Sequence, residues 1–226
     1  MSLYFLLLLI TGIVPLSLSF DKRLQFYKSW KYVWPSIFAV AALYIAVDVY
    51  FTKMNYWGFN PDYLSGVYLF HLPIEEVLFF IVVPYASIFL HESILEYFPQ
   101  VKLSRKFNNT LTTLLIAMSL VLLLLNTERS YTFYIFTKLA VVLSIALWIR
   151  SRALRSFYLT FLVILIPFLI VNGILTGSFI NGEVVWYNND HNLGFRIFTI
   201  PVEDFAYAFS MILFNLLLIE KLKKLY

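Results

Sequence analysis

Apolar residues gather into seven blocks along the chain, at roughly 3–20, 34–52, 72–91, 110–125, 131–149, 157–175 and 200–219. Each is near the ~20 residues that a membrane-spanning helix needs. Polar, charged and turn-forming residues fill the breaks. The pattern predicts an all-α integral membrane protein of about seven transmembrane helices. Pro15, Pro84 and Pro167 fall inside blocks, where proline kinks a buried helix rather than ending it. The first block lacks a positively charged leader and an Ala-x-Ala-like site, and basic residues follow it rather than precede it. It therefore reads as a membrane helix, not a signal peptide.

A second pattern lies over the first. Trp57-Gly-Phe-Asn60, Gly66 and Pro73-Ile-Glu75-Glu76 precede and open the third block; Trp186-Tyr-Asn-Asn189, Gly194 and Pro201-Val-Glu203-Asp204 precede and open the seventh. Trp-to-Asn and Gly-to-Pro spacings agree between the copies, and the Asn-to-Gly gap differs by one residue. This is an internal duplication, with repeats at 1–98 and 129–226 and a linker helix within 99–128. Four helices separate matching elements. The two three-helix repeats are therefore parallel, related by a pseudo-two-fold along the membrane normal. Asp48 and Asn172 also correspond, each four residues before a threonine, Thr52 or Thr176, near the end of a middle helix.

Composition agrees with the membrane reading: of 226 residues, 61% are hydrophobic and 13% charged, with a mean hydropathy of +0.80. The net charge of +4 reports topology rather than nucleic-acid binding. Lys22, Arg23, Lys28 and Lys31, then Lys102, Arg105 and Lys106, then Arg150, Arg152 and Arg155, and finally Lys221, Lys223 and Lys224 all fall on one side of the predicted bundle. Lys53, Arg129 and Arg196 fall on the other, and Lys138 lies within the fifth block. By the positive-inside rule the N-terminus is outside and the C-terminus cytoplasmic, in a bacterial inner membrane. Both acidic motifs then lie on the outer side.

With proline at the first helical position, Glu75 and Glu203 take the third place and Glu76 and Asp204 the fourth. Dipole capping is the plain account of such carboxylates. Capping needs one acid, however, and each copy has two; ionisable groups at membrane depth are costly and functional by default. Glu75, Glu76, Glu203 and Asp204 are the candidate acid–base groups, because a buried carboxyl can hold a proton for donation and a second can accept one. Pro73 and Pro201 start the helices that carry them. Trp57 and Trp186 suit an interfacial aromatic belt, and Asn60 and Asn189 suit loop turns or hydrogen bonds to the carboxylates. Asp48 and Asn172 are supporting candidates; Asp48 either pairs with Lys53 or reaches the site. Aromatic residues make up 19% of the chain; some of them can line a cavity and stabilise a cation.

Other chemistries lack their residues. Cysteine is absent, which excludes thiolate nucleophiles, disulfides and iron–sulfur clusters. The sequence has no His-x-x-His cluster for a di-iron site, no Asp-x-x-x-Asp repeat for magnesium diphosphate, and no glycine-rich nucleotide loop. The seventh block has no lysine for a retinal Schiff base. The expectation is no metal and no cofactor.

Leu72-Pro-Ile-Glu-Glu-Val-Leu-Phe-Phe and Ile200-Pro-Val-Glu-Asp-Phe-Ala-Tyr resemble the duplicated Pro-x-Glu-Glu/Asp motif of membrane lycopene cyclases. These are the kind found as paired half-size subunits in bacteria and as fused regions in fungal bifunctional enzymes. The resemblance covers nearly the whole chain, as two fused halves. It implies a lycopene beta-cyclase of carotenoid biosynthesis, an isomerase or intramolecular lyase with no net redox change. An acid protonates the terminal double bond, the cation closes a six-membered ring, and a base removes a ring proton. The implied partners are lycopene, the bilayer and other carotenoid-pathway enzymes, with no nucleic acid. Competing readings are a non-enzymatic transporter or scaffold built from duplicated repeats, a carotenoid hydratase, and a cyclase of C50 carotenoids. A closed apolar pocket at the motifs favours an enzyme; a wet path across the bilayer favours transport.

Overall fold

The computed structural model describes residues 2–225, so positions 1 and 226, the outer bounds of the two expected repeats, lie outside the described residues. Seven α-helices dominate: α1 (Leu3–Leu18), α2 (Trp30–Lys53), α3 (Ile74–Tyr97), α4 (Arg105–Leu125), α5 (Ser130–Trp148), α6 (Ala153–Leu175) and α7 (Val202–Leu225). Six are long and apolar enough to cross a membrane, by length and composition. Helix α1 is shorter: its 16 residues rise about 24 Å against a hydrocarbon core of ~30 Å. Its block loses Ser19 and Phe20 to a turn, where Ser19 Oγ donates to Pro15 O at 2.7 Å and meets Tyr85 Oη at 2.6 Å. Helices α3, α4, α6 and α7 run beyond their apolar blocks at one end, and α2 at both. The backbone ladder continues into polar residues once it leaves the hydrocarbon.

Helices α3 and α7 touch at the centre. Helix α3 also packs on α1, α2 and α6, and α7 on α5, α6 and α2; α4 lies outside, against α5 and α6. Exchanging α1 with α5, α2 with α6 and α3 with α7 maps the packing of these six helices onto itself, as a two-fold relation requires, while α4 has no counterpart. The exterior is apolar, with Leu114, Leu124, Leu162 and Ile166 exposed, as befits a lipid-facing surface. Much of what joins the helices is polar: Ser36 Oγ to Asn215 Oδ1 at 3.0 Å, His91 Nδ1 with Thr160 Oγ1 at 2.7 Å, and Thr112 Oγ1 with Tyr158 Oη at 2.9 Å. Such bonds matter because apolar burial alone does not drive helices together in lipid.

Short strands close the end that carries the acidic motifs. Strand β1 (Trp57–Phe59) pairs antiparallel with β4 (Val185–Tyr187), while β2 (Tyr68–Leu69) pairs with β3 (Leu72–Pro73), and β5 (Arg196–Ile197) with β6 (Ile200–Pro201). The β1–β4 register sets Trp57 opposite Tyr187, Gly58 opposite Trp186 and Phe59 opposite Val185. Gly58 and Trp186 are thus each other's counterparts on the pseudo-axis, which makes the repeat offset 128 residues here. The same offset relates Gly66 to Gly194, both at positive φ, and Asn60 to Asn188. Asn60 Oδ1 accepts from Asp62 N at 3.1 Å and Asn188 Oδ1 from Asp190 N at 3.0 Å. The duplication is therefore ungapped from β1 to α3: the matching of Trp57 with Trp186 and Asn60 with Asn189 is one residue out of register. One tryptophan in each copy, displaced by one residue, and the adjacent Asn188 and Asn189 of the second copy invited that slip.

A Cβ on Gly58 would collide with the Trp186 ring at Cζ2, so the indole occupies the space that glycine leaves. Gly58→Val should cost roughly 1–3 kcal/mol through overpacking and lower the thermal midpoint in detergent. An unchanged midpoint would show that Trp186 swings aside without loss.

Candidate functional site

Proline shapes both helix starts, one position earlier than its spacing alone suggests. Pro73 is the N-cap of α3, with φ −56° and ψ 143°, and Pro201 ends β6 before α7. Glu75 and Glu203 are thus second in their helices, and Glu76 and Asp204 third. The first helical amides are satisfied from the hairpins, Ile74 N by Val67 O at 2.9 Å and Val202 N by Phe195 O at 3.0 Å. The side chains are thereby freed from capping.

The two acids of each pair turn to different places. Glu75 Oε1 accepts from Ser65 N at 2.6 Å and Ser2 Oγ at 2.8 Å. Glu203 Oε1 accepts from Leu193 N at 2.7 Å and Thr132 Oγ1 at 2.6 Å. Both are fully buried, and each ties the loop ten residues before it to a neighbouring helix. Glu76 and Asp204 instead line one pocket. Tyr4 Oη donates to Glu76 Oε2 at 2.6 Å; Tyr131 Oη donates to Asp204 Oδ1, and Tyr187 Oη to Asp204 Oδ2 at 2.8 Å. Tyr4 and Tyr131 are counterparts near the starts of α1 and α5. Burial, with Asp204 beside it, holds the Tyr187 phenol well above its ordinary range, so it remains a donor.

The pocket's other walls are mostly rings and aliphatic chains, Phe79, Phe80, Phe168, Tyr207 and Met211 among them. Asp48, Trp57 and Asn172 line it too. Trp57 is buried at 5% exposure and packs edge-on against Tyr131, inside the bundle end rather than in an interfacial belt. Lys53 is exposed and makes no ion pair with Asp48 among the described residues. Trp186 lies over Gly58. Asn189 is exposed and accepts from Arg196 Nη2 at 3.1 Å; Asn60 caps its own turn. Neither asparagine hydrogen-bonds a motif carboxylate. The tyrosine hydroxyls were not singled out from the sequence, although carrying the repeat back to α1 and α5 aligns Tyr4 with Tyr131. Lys138 was noted only for topology. Its buried Nζ lies 3.6 Å from the ring centre of Tyr207 and 4.0 Å from that of Tyr44.

A second hollow lies at the opposite end of the bundle, lined by His91, Glu92, Arg150, Arg152, Glu220 and Lys223 among others. Packed Phe157, Phe161, Phe209, Ile212 and Leu213 fill the core of the bundle along α6 and α7 between the two. The site is thus a blind, apolar pocket at one end, with three carboxyls in its walls.

A family model described as Lycopene cyclase matches residues 1–94 and 128–222. The chain belongs to the lycopene cyclase family. The two matched segments leave out α4 and include the carboxylates, tyrosines and strands just described. Among curated proteins and among solved structures, nothing matches. Membership makes this a membrane enzyme of the carotenoid-cyclase type, acting on a carotenoid.

Glu203→Ala removes the acceptor for the Leu193 amide and should cost about 1–3 kcal/mol. Hydrogen exchange read by mass spectrometry should quicken at Leu193 in this variant and stay at the wild-type rate in Asp204→Asn. Equal exchange in both would mean that Glu203 does not hold the loop.

Proposed function

We propose that the chain is a lycopene beta-cyclase in which Glu76 is the proton donor and Asp204 faces the cation, while Glu75 and Glu203 position the loops that close the site. One observation carries this reading: the two halves each send one carboxyl, hydrogen-bonded by tyrosine, into the same ring-lined pocket. Glu76 donates a proton to C2 of the terminal C1–C2 double bond. The C5–C6 double bond attacks C1, forming the C1–C6 bond and leaving the cation at C5. A carboxylate of the cluster then takes the C6 proton, and the C5–C6 double bond returns as the β-ring. No electrons are gained or lost. Asp204 faces the developing cation with negative charge, and the faces of Phe79, Phe80 and Phe168 add cation–π stabilisation. The packed core beneath the pocket supports an enzyme rather than a transport path.

In this reading the segments 1–98 and 129–226 are two halves of one active site, with α4 as the linker. The motif end faces outward and the basic end faces the cytoplasm, in keeping with the distribution of Lys and Arg. The chain has no native cysteine, which makes orientation measurable with single introduced thiols. A cysteine replacing Asp62 should react with an impermeant maleimide in intact cells and one replacing Arg152 only after lysis. The reverse pattern would invert the topology.

Expressed in bacteria that accumulate lycopene, the chain should yield γ- and β-carotene on chromatography. Glu76→Gln and Asp204→Asn should each lower conversion by about 10²–10⁴-fold at unchanged membrane content. Activity close to wild type in either variant removes that residue from the chemistry. Hydroxylated products would favour a hydratase, and turnover only of longer acyclic carotenoids a C50 cyclase.

A further inference from the structure

The two halves of the pocket are not chemically equal, and the difference is concentrated in one group of side chains. Lys138 on α5 has its Nζ buried with no hydrogen-bond partner. It sits among three tyrosine faces, 3.6 Å from the ring centre of Tyr207, 4.0 Å from Tyr44 and 5.1 Å from Tyr134. Asp48, at 2% exposure, lines the pocket beside this cage, and its Oδ2 also lacks a partner. Tyr44 of the cage stands four residues, about one helical turn, before Asp48 on α2.

The duplication supplies an internal control. The offset that matches Tyr131 with Tyr4 matches Lys138 with Thr11 and Tyr134 with Leu7. The offset that matches Asp48 with Asn172 matches Tyr44 with Phe168, and the offset of the acidic motifs matches Tyr207 with Phe79. Every member of the charged group is thus replaced by a neutral counterpart across the pseudo-axis. The same fold accommodates Asn and Thr at these places, so the charge pair is not a requirement of the architecture. Burying two ionisable groups is costly unless they compensate each other, and three ring faces give the ammonium the stabilisation that its missing hydrogen bonds do not.

We propose that Asp48 is the carboxylate that takes the ring proton and that Lys138, held in the tyrosine cage, is the positioning residue that keeps it charged and ready. This rests on the cyclase reading. Of the three pocket carboxyls, Asp204 has both oxygens occupied by tyrosine hydroxyls and Glu76 one. Asp48 has an oxygen with no bond to break before it accepts a proton. Phe79, Phe168 and Asn172, neutral counterparts of this group, line the same pocket as Asp48 and Tyr207. The C6–H bond breaks, its electron pair forms the C5–C6 double bond, and the proton passes to Asp48. Return of that proton to Glu76 resets the site.

The test uses the full chain in isolated membranes supplied with lycopene, with all rates taken per folded protein. Asp48→Asn and Lys138→Thr, which install the residues of the opposite half, should each reduce the folded amount by leaving one charge unpaired. The double variant should restore it to within about twofold of wild type. Conversion should nevertheless stay at least ~100-fold down in Asp48→Asn and in the double variant, while Lys138→Arg keeps conversion within a few-fold. In deuterated buffer the double variant should return lycopene carrying deuterium, because protonation continues and reverses without ring closure being completed. A double variant that folds and cyclises at a near-wild-type rate would reduce the pair to structure and overturn the proposal. Unlabelled lycopene would overturn it too, by placing Asp48 in proton donation. If the unaltered chain cyclises no acyclic carotenoid, the cyclase reading fails and takes this inference with it. An active wild type beside an active double variant fails the inference alone.

Discussion

Carboxyl groups inside an apolar bundle are tolerated only when their oxygens are bonded or their charge is met, and that constraint organises this molecule. The four motif acids are almost wholly buried, and each receives hydrogen bonds from another part of the chain. Glu75 and Glu203 are held by a loop amide and a hydroxyl; Glu76 and Asp204 by tyrosines. Those bonds tie the starts of α3 and α7 to α1 and α5 and draw the intervening loops over the pocket. Removing the acids would leave the loop amides and the tyrosines without their acceptors. The two acids of each adjacent pair are therefore turned to different places: the first holds a loop and the second faces the cavity.

Adjacent residues on a helix point about 100° apart, which is why the motif needs two acids where capping needs one. Proline contributes by lacking an amide. As N-cap of α3 and as the last strand residue before α7, it lets the next amide bond back to the hairpin. The carboxylates are then not recruited to the helix end. The β1–β4 ribbon completes the arrangement. It crosses the pseudo-axis at Gly58 and Trp186, and a side chain at Gly58 would collide with the indole.

Two-fold scaffolds present a difficulty for a reaction that needs a donor and an acceptor of different character. Here the backbone remains nearly symmetric while the side chains diverge. Tyr187 adds a second donor to Asp204 where its counterpart, Phe59, cannot. The group of Asp48, Lys138, Tyr44 and Tyr207 stands opposite Asn172, Thr11, Phe168 and Phe79. Asp48 and Tyr207 line the pocket together with Asn172, Phe168 and Phe79, so its two halves are not chemically equivalent. The packed aromatic core beneath keeps this end of the bundle closed toward the basic end.

Hydropathy alone determined the seven helices, their order and the membrane setting, because a hydrocarbon solvent imposes one long apolar run per crossing. The Pro-acidic motifs disclosed the duplication and the family for a similar reason: helix starts with paired acids are rare at membrane depth. The shortness of α1 was not legible, since its end is decided by Ser19 reaching Tyr85, a contact between distant residues. Nor was the repeat register, because Trp and Asn recur one residue apart in the second copy and only the pairing of β1 with β4 selects between them. The split of roles between Glu75 and Glu76, and between Glu203 and Asp204, depends on where each side chain points once the loops are folded. Tyr4 and Lys138 looked like ordinary residues of apolar stretches, and Tyr187 like an ordinary loop residue. Their meaning comes from packing, which sets the hydroxyls of Tyr4 and Tyr187 against carboxyls 72 and 17 residues away and Lys138 among the rings of Tyr44, Tyr134 and Tyr207, a relation that no local pattern of hydropathy encodes.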